Sequence, residues 1–210
     1  MLDERQPAPE KKREIAEVMV LAVVAIATSW SGYQATKWGG EQGRLYALGS
    51  SDRFQAEAAS TFGGQQVVAD SSIFTAWLQA RDRGDTNLES LLVRRFSPDY
   101  AAAFNDWLKL DPFTNPAAPA GPAVMPDFSN PSFEKATQLN AAAAVEVGLG
   151  TAARETANKY VRGTVLFASV LFLVAAGRRF TSRGVRIAAD ALGIGLLAYT
   201  LSFLAILPRM

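Results

Sequence analysis

Three pairs of carboxylates stand close enough in the chain to suggest acid–base chemistry: Asp82/Asp85, Asp99/Asp106 and Asp52/Glu57. General acid–base catalysis needs such groups in a cleft that drives their pKa values apart. These pairs instead fall at what read as exposed helix ends or turns, interleaved with Arg81, Arg83 and Arg53. Mixed charge of that kind reads as solvated surface. Asp82 to Glu89 also lacks the dense oxygen-ligand spacing of a calcium loop. The chain has no His and no Cys. That removes disulfides, Cys- or His-ligated metals and Ser-His-Asp or Cys-His catalysis. No phosphate-cradling G-x-x-x-x-G-K-[ST] occurs, and Gly193-Ile194-Gly195 lies inside an apolar run, where glycines serve helix packing. The reading is therefore of a non-enzyme with no catalytic residue, no metal and no cofactor.

Length and charge narrow it further. The 210 residues allow one or two compact domains, and 21 Lys+Arg against 20 Asp+Glu leave a net charge of +1. No whole-molecule field exists for nucleic acid. The mean hydropathy of +0.07 averages very unequal parts. Val18 to Trp30 carries no charge, Tyr160 to Ala176 carries only Arg162, and Ile187 to Leu207 carries only Asp190. A spanning helix takes about 20 mostly apolar residues. The expected fold class is an all-α membrane protein with three transmembrane helices, at 15–33, 160–177 and 187–207. An extracytoplasmic helical bundle, residues 34–159, is inserted between the first two.

Basic residues set the expected orientation. The connection 178–186 holds Arg178, Arg179, Arg183 and Arg186 with no acid, which marks it as cytoplasmic. Segment 1–14 carries Arg5, Lys11, Lys12 and Arg13 and belongs on the same side. Trp30, Tyr33 and Trp38 then cluster at the outer end of the first span and Tyr160 at the outer end of the second, as interfacial aromatics do. The chain would end outside at Pro208-Arg209-Met210. A signal peptide cleaved after Ala27 is the competing reading. Five acids among the first seventeen residues and apolar character running on to Tyr33 favour an uncleaved anchor. The setting expected is a bacterial-type inner membrane with a periplasmic domain.

Between the first two runs the charge is near neutral, 11 Lys+Arg against 14 Asp+Glu giving −3. Phe54, Ala58, Phe62, Val68 or Ala69, Phe74 and Trp77-Leu78 recur near helical spacing. Gly39-Gly40, Gly43 and Gly63-Gly64 mark kinks or close helix contacts. Arg81 to Asp85 reads as a turn, with Asp85 or Thr86 capping a helix through Phe96. Ser97-Pro98 opens another helix reaching Leu110. Six of the ten prolines fall in the loop 111–131. Ser132 then caps a helix that runs unbroken into the second span, through the small-residue stretch Ala141 to Gly150.

Asp190 sits one turn inside the third span, where an acid needs a partner; Arg186, four residues before it, is the expected one. Glu14 and Glu17 at the same depth can reach Arg178 or Arg179. The basic patch can also meet anionic lipid headgroups. The order of span, outer helices and span is similar to that of bacterial chemoreceptor sensing domains, yet no signalling helix follows Arg178. The functional expectation is action by assembly in the lipid bilayer, as an accessory or scaffold subunit or a homo-oligomer. Alternatives are a homo-oligomeric pore lined by Thr28, Ser29, Thr164, Ser169, Thr200 and Ser202, and a ligand sensor with a separate signalling partner.

Overall fold

The computed structural model describes residues 8–210, with side chains from Ile15 onward. The basic residues Arg5, Lys11, Lys12 and Arg13 of segment 1–14 therefore lie outside the described side chains. Among the described residues there are five α-helices, one 3-10 turn at Pro122–Val124 and no strand. They are α1 (Ala8–Asp82), α2 (Thr86–Val93), α3 (Pro98–Leu108), α4 (Pro131–Gly177) and α5 (Arg183–Ala205). Three of them, α1, α4 and α5, contain stretches long and apolar enough to cross a membrane, which suggests a multi-pass membrane protein.

The helix that carries the first apolar run continues unbroken past Trp38 and through Gly39-Gly40, Gly43 and Gly63-Gly64 to Asp82. A glycine weakens a helix by about 1 kcal/mol relative to alanine, which neighbouring helix formers and packing override. The helix stops where the chain changes hand. Gly84 adopts φ +69, Gly84 N–H donates to Arg81 O at 3.0 Å, and Asp85 N–H donates to Ala80 O at 3.0 Å. These two bonds form a Schellman terminus, which satisfies carbonyls the helix leaves open. Between α4 and α5 the non-helical connection is 178–182, and α5 starts at Arg183.

The contacts divide the chain into two compact units: residues 48–146, and residues up to 47 together with 147–210. In both, buried positions on the long helices recur every seven residues. Along α1 these are Gly49, Ala56, Gly63, Asp70 and Trp77; along α4 they are Ala136, Ala143, Gly150 and Ala157, then Ala153, Tyr160, Phe167 and Val174. A seven-residue period keeps one seam on one face of a helix pair. Small residues in that seam let backbones approach closely. A Cβ added at Gly63 would stand 3.0 Å from the Phe133 ring and 3.1 Å from Ser132 Cβ.

The 48–146 unit is held by aromatic side chains. Phe74 and Trp77 from α1, Phe96, and Tyr100, Phe104 and Trp107 from α3 are all buried together. Edge-to-face pairs dominate, with Trp77–Phe104 centroids 4.8 Å apart at 84° and Phe74–Trp107 centroids 5.1 Å apart at 87°. Such pairs add about 0.5–1.5 kcal/mol beyond area burial. Phe54, Phe62 and Val68, read from the sequence as part of the same amphipathic stripe, do not join: they are 78%, 56% and 66% exposed.

The proline-rich segment 111–131 is a strap over this cluster. Trp107 Nε1 donates to Pro119 O at 2.7 Å, Pro122 is buried, and Gly121 passes so close to Phe74 that a Cβ would meet the ring at 3.1 Å. The Arg81 guanidinium lies 4.5 Å over the Phe113 ring at the strap's start.

The other unit packs Val24 of α1, Phe167, Val170 and Val174 of α4, and Leu197 and Leu204 of α5 into one apolar core. Gly163 makes room for this: a Cβ there would stand 3.0 Å from Leu204 and 3.1 Å from Ser31 Oγ. Within this unit, glycines two residues apart on α4 differ in kind. Nothing lies within 4 Å of a Cβ at Gly148, whereas at Gly150 it would stand 2.6 Å from the Tyr46 ring. Gly148→Ala therefore raises stability by about 0.5–1 kcal/mol through helix propensity. Gly150→Ala lowers it, because overpacking costs about 1–3 kcal/mol. Thermal unfolding of the two variants checks the opposite signs, and Tyr46→Ala restores the Gly150→Ala protein.

Candidate functional site

Local caps place the polar groups of the 48–146 unit. Asp85 caps α2 as read from the sequence, accepting from Leu88 N–H at 3.0 Å, but α2 ends at Val93 rather than Phe96. Ser97 occupies the N-cap of α3 with Pro98 next, yet its hydroxyl makes no bond to its own helix. It donates instead to Asp70 Oδ2 at 2.6 Å, and Ser97 N–H donates to Asp70 Oδ1 at 2.9 Å. Asp70 is buried. Burial pushes the nearby Tyr100 phenol above its ordinary pKa; a hydrogen bond with Ser71 opposes this and the Asp70 charge adds to it. For α4 the cap is Asn130, not Ser132: the helix starts at Pro131, and Asn130 Oδ1 accepts from Ser132 N–H at 2.8 Å.

Two of the paired carboxylates have local partners. Asp106 is paired with Lys109 at 2.6 Å, and Asp85 is spent on its cap. Asp99, Asp106 and Asp127 line a shallow cavity of about 190 Å³ beside Met125 and Phe128. Among the described residues no group of three or more acids is arranged to hold a metal. The chain also holds one Ser–x–x–Lys spacing, Ser132-Phe133-Glu134-Lys135. Its lysine is exposed, whereas a lysine that activates serine needs to be withdrawn from water. On the exposed surface, Glu41 is held below the ordinary carboxylate range by its hydrogen bond from Arg44.

The remaining polar groups gather in two places in the other unit. In the first, Glu17 of α1 accepts from Arg178 Nε at 2.7 Å, joining α1 to the end of α4. Glu17 and Asp190 line a cavity of about 130 Å³ with Ala16, Val20, Val174 and Ile194. Arg186 Nε is buried with no hydrogen-bond partner among the described residues. Asp190 Oδ1 lies beside Gly177, 3.3 Å from where a Cβ would stand. Arg179 and Arg183 are exposed.

In the second place, aromatic and amide side chains clamp Pro208 to Met210. Gln34, fully buried, pairs in both directions with the Met210 backbone: its Nε2 donates to Met210 O and its Oε1 accepts from Met210 N–H, both at 3.0 Å. Pro208 O accepts from Tyr160 OH at 3.0 Å and Trp38 Nε1 at 3.2 Å. Tyr160 is completely buried, and its backbone carbonyl accepts from Ser31 Oγ at 2.8 Å. Trp30 and Tyr33, by contrast, are exposed and in contact, with ring centroids 5.9 Å apart. Sequence reading singled out Trp38 and Tyr160 as aromatics but missed Gln34, whose partner lies 176 residues away. Gln34→Leu removes two hydrogen bonds at about 1 kcal/mol each. The expected result is loss of amide protection at Met210 in hydrogen exchange, with the helical content unchanged.

Five of the six hydroxyls considered for a pore bond to their own helices. Thr28, Ser29, Ser169 and Thr200 each donate to the carbonyl four residues back, and Thr164 to the one three back. This is the ordinary local use of such residues in a helix. No protein family, no curated protein and no solved structure matches the chain.

Proposed function

We propose that this is a multi-pass protein of a bacterial inner membrane that acts by assembly, without catalysis. Segments 1–14 and 178–186 then face the cytoplasm, and residues 34–159 form an extracytoplasmic helical domain. The acid-free run Arg178, Arg179, Arg183 and Arg186 supports that orientation and suits contact with anionic headgroups, each residue contributing about 1 kcal/mol.

The observation that carries the assembly reading is the exposure of Phe54, Phe62 and Val68 outside the three apolar runs. Clustered exposed apolar side chains in a water-facing domain mark an interaction surface. That five of the six pore hydroxyls bond to their own backbones also favours assembly over conduction. Native mass spectrometry of the protein gently extracted from its membrane tests this. A defined homo-oligomer or a constant companion polypeptide is the expected result; a single bare copy overturns it.

A further inference from the structure

We infer that the outward face of α1 between Leu48 and Thr75 binds the same face of a second copy of this chain, the two helices running parallel. This rests on the assembly reading above and names its partner.

The face is defined by the seven-residue repeat. The buried seam of α1 falls at Gly49, Ala56, Gly63, Asp70 and Trp77 and at the positions of Leu45 and Ala80. On roughly the opposite side, three positions of each repeat form a strip that is exposed along its whole length. It holds Leu48, Phe54, Phe62 and Val68, separated by Ala, Ser, Thr and Gln. No charged residue lies on it: Asp52, Arg53, Glu57 and Asp70 all fall on other positions of the repeat. Three apolar or neutral positions in seven is the width of a helix-packing face. Absence of charge with exposed aromatics is the composition of an interface centre.

Three arguments select a second copy. The strip is about 40 Å long at 1.5 Å per residue. Its exposed positions offer on the order of 800 Å², the area each partner of a stable interface covers. A neutral strip has no charge pattern with which to choose a charged partner, whereas bulky Phe54, Phe62 and Val68 alternating with small Ser51, Ala58 and Thr61 complement a copy of themselves. Copies anchored in one membrane share an orientation, so a two-fold axis along the membrane normal brings equal residues of the two strips together.

The absence of cysteine makes the test direct. Ala58→Cys and Gln65→Cys lie on the strip, and Arg53→Cys is exposed on the far side of the helix. A disulfide requires the two Cα atoms within about 7 Å. Each full-length variant in its own membrane is treated with a mild oxidant and its mass read on a non-reducing gel. The expected result is a disulfide homodimer at Ala58→Cys and Gln65→Cys, several-fold more abundant than at Arg53→Cys, and lost when Phe54→Ser and Phe62→Ser are added. Equal dimer at Arg53→Cys overturns the inference as mere collision. Conjugation at the strip to a different polypeptide overturns the second copy and leaves assembly standing. No conjugate at all, with a single copy by native mass spectrometry, overturns both.

Discussion

Phe104→Ala lowers the stability of the unit formed by residues 48–146 by about 3–5 kcal/mol, the usual cost of removing a fully buried aromatic. Phe104 is 2% exposed, and its ring lies 4.8 Å from Trp77, 5.1 Å from Phe96, 6.2 Å from Trp107 and 6.3 Å from Phe74. Deleting it leaves a cavity that four large rings cannot refill without breaking their own edge-to-face contacts. Trp77 and Trp107 both border that cavity, so their fluorescence reports the unfolding midpoint. Measured on dissociated single copies, Phe54→Ala is the matched control: the same residue type at 78% exposure, where a surface substitution changes stability by no more than about 0.5 kcal/mol. Equal losses for the two variants would mean that Phe54 is covered within a single chain and that the cluster is not the core.

The contrast between these two phenylalanines shows what the sequence discloses and what it withholds. Helical periodicity places Phe54, Phe62 and Val68 on a common face, but periodicity reports only that a face is apolar, not whether the chain itself covers it. Hydropathy identified three runs because each lies contiguous in the chain, and a helix needs nothing distant to satisfy its backbone. The cap at Asp85 and the helix start at Ser97-Pro98 were legible for the same local reason, as was the approach of Glu17 to Arg178. The Gln34–Met210 pairing and the Asp70–Ser97 bridge join residues 176 and 27 apart, and neither segment carries a spacing that names the other. The seven-residue seam escaped notice because small residues fill it: Gly49, Ala56, Gly63, Ala136, Ala143 and Ala157 carry almost no hydropathic contrast with exposed alanines beside them.

Asp70→Ala is expected to cost about 3–6 kcal/mol, because hydrogen bonds to a charged group contribute about 1.5–3 kcal/mol each and here two are lost together. The carboxylate holds the N–H and hydroxyl of Ser97 at the start of α3, where Ser97 makes no side-chain cap and Pro98 has no N–H of its own to offer. It also places negative charge at the positive end of that helix. Asp70→Asn keeps the shape and one acceptor while removing the charge, so it should lose roughly half as much. Denaturant midpoints of the two variants, with Ser97→Ala closing a double-mutant cycle, separate hydrogen bonding from charge. The Tyr100 phenol gives a second readout. Since the Asp70 charge raises its pKa, Asp70→Asn should let Tyr100 ionise at lower pH, seen as an earlier rise in alkaline ultraviolet absorbance. A strongly destabilised Asp70→Asn with unchanged tyrosine titration would assign the loss to packing. Coupling of Asp70 to Ser97 with an earlier titration would instead make this bridge the electrostatic join between α1 and α3, fixing the helix that carries Tyr100, Phe104 and Trp107 against Phe74 and Trp77.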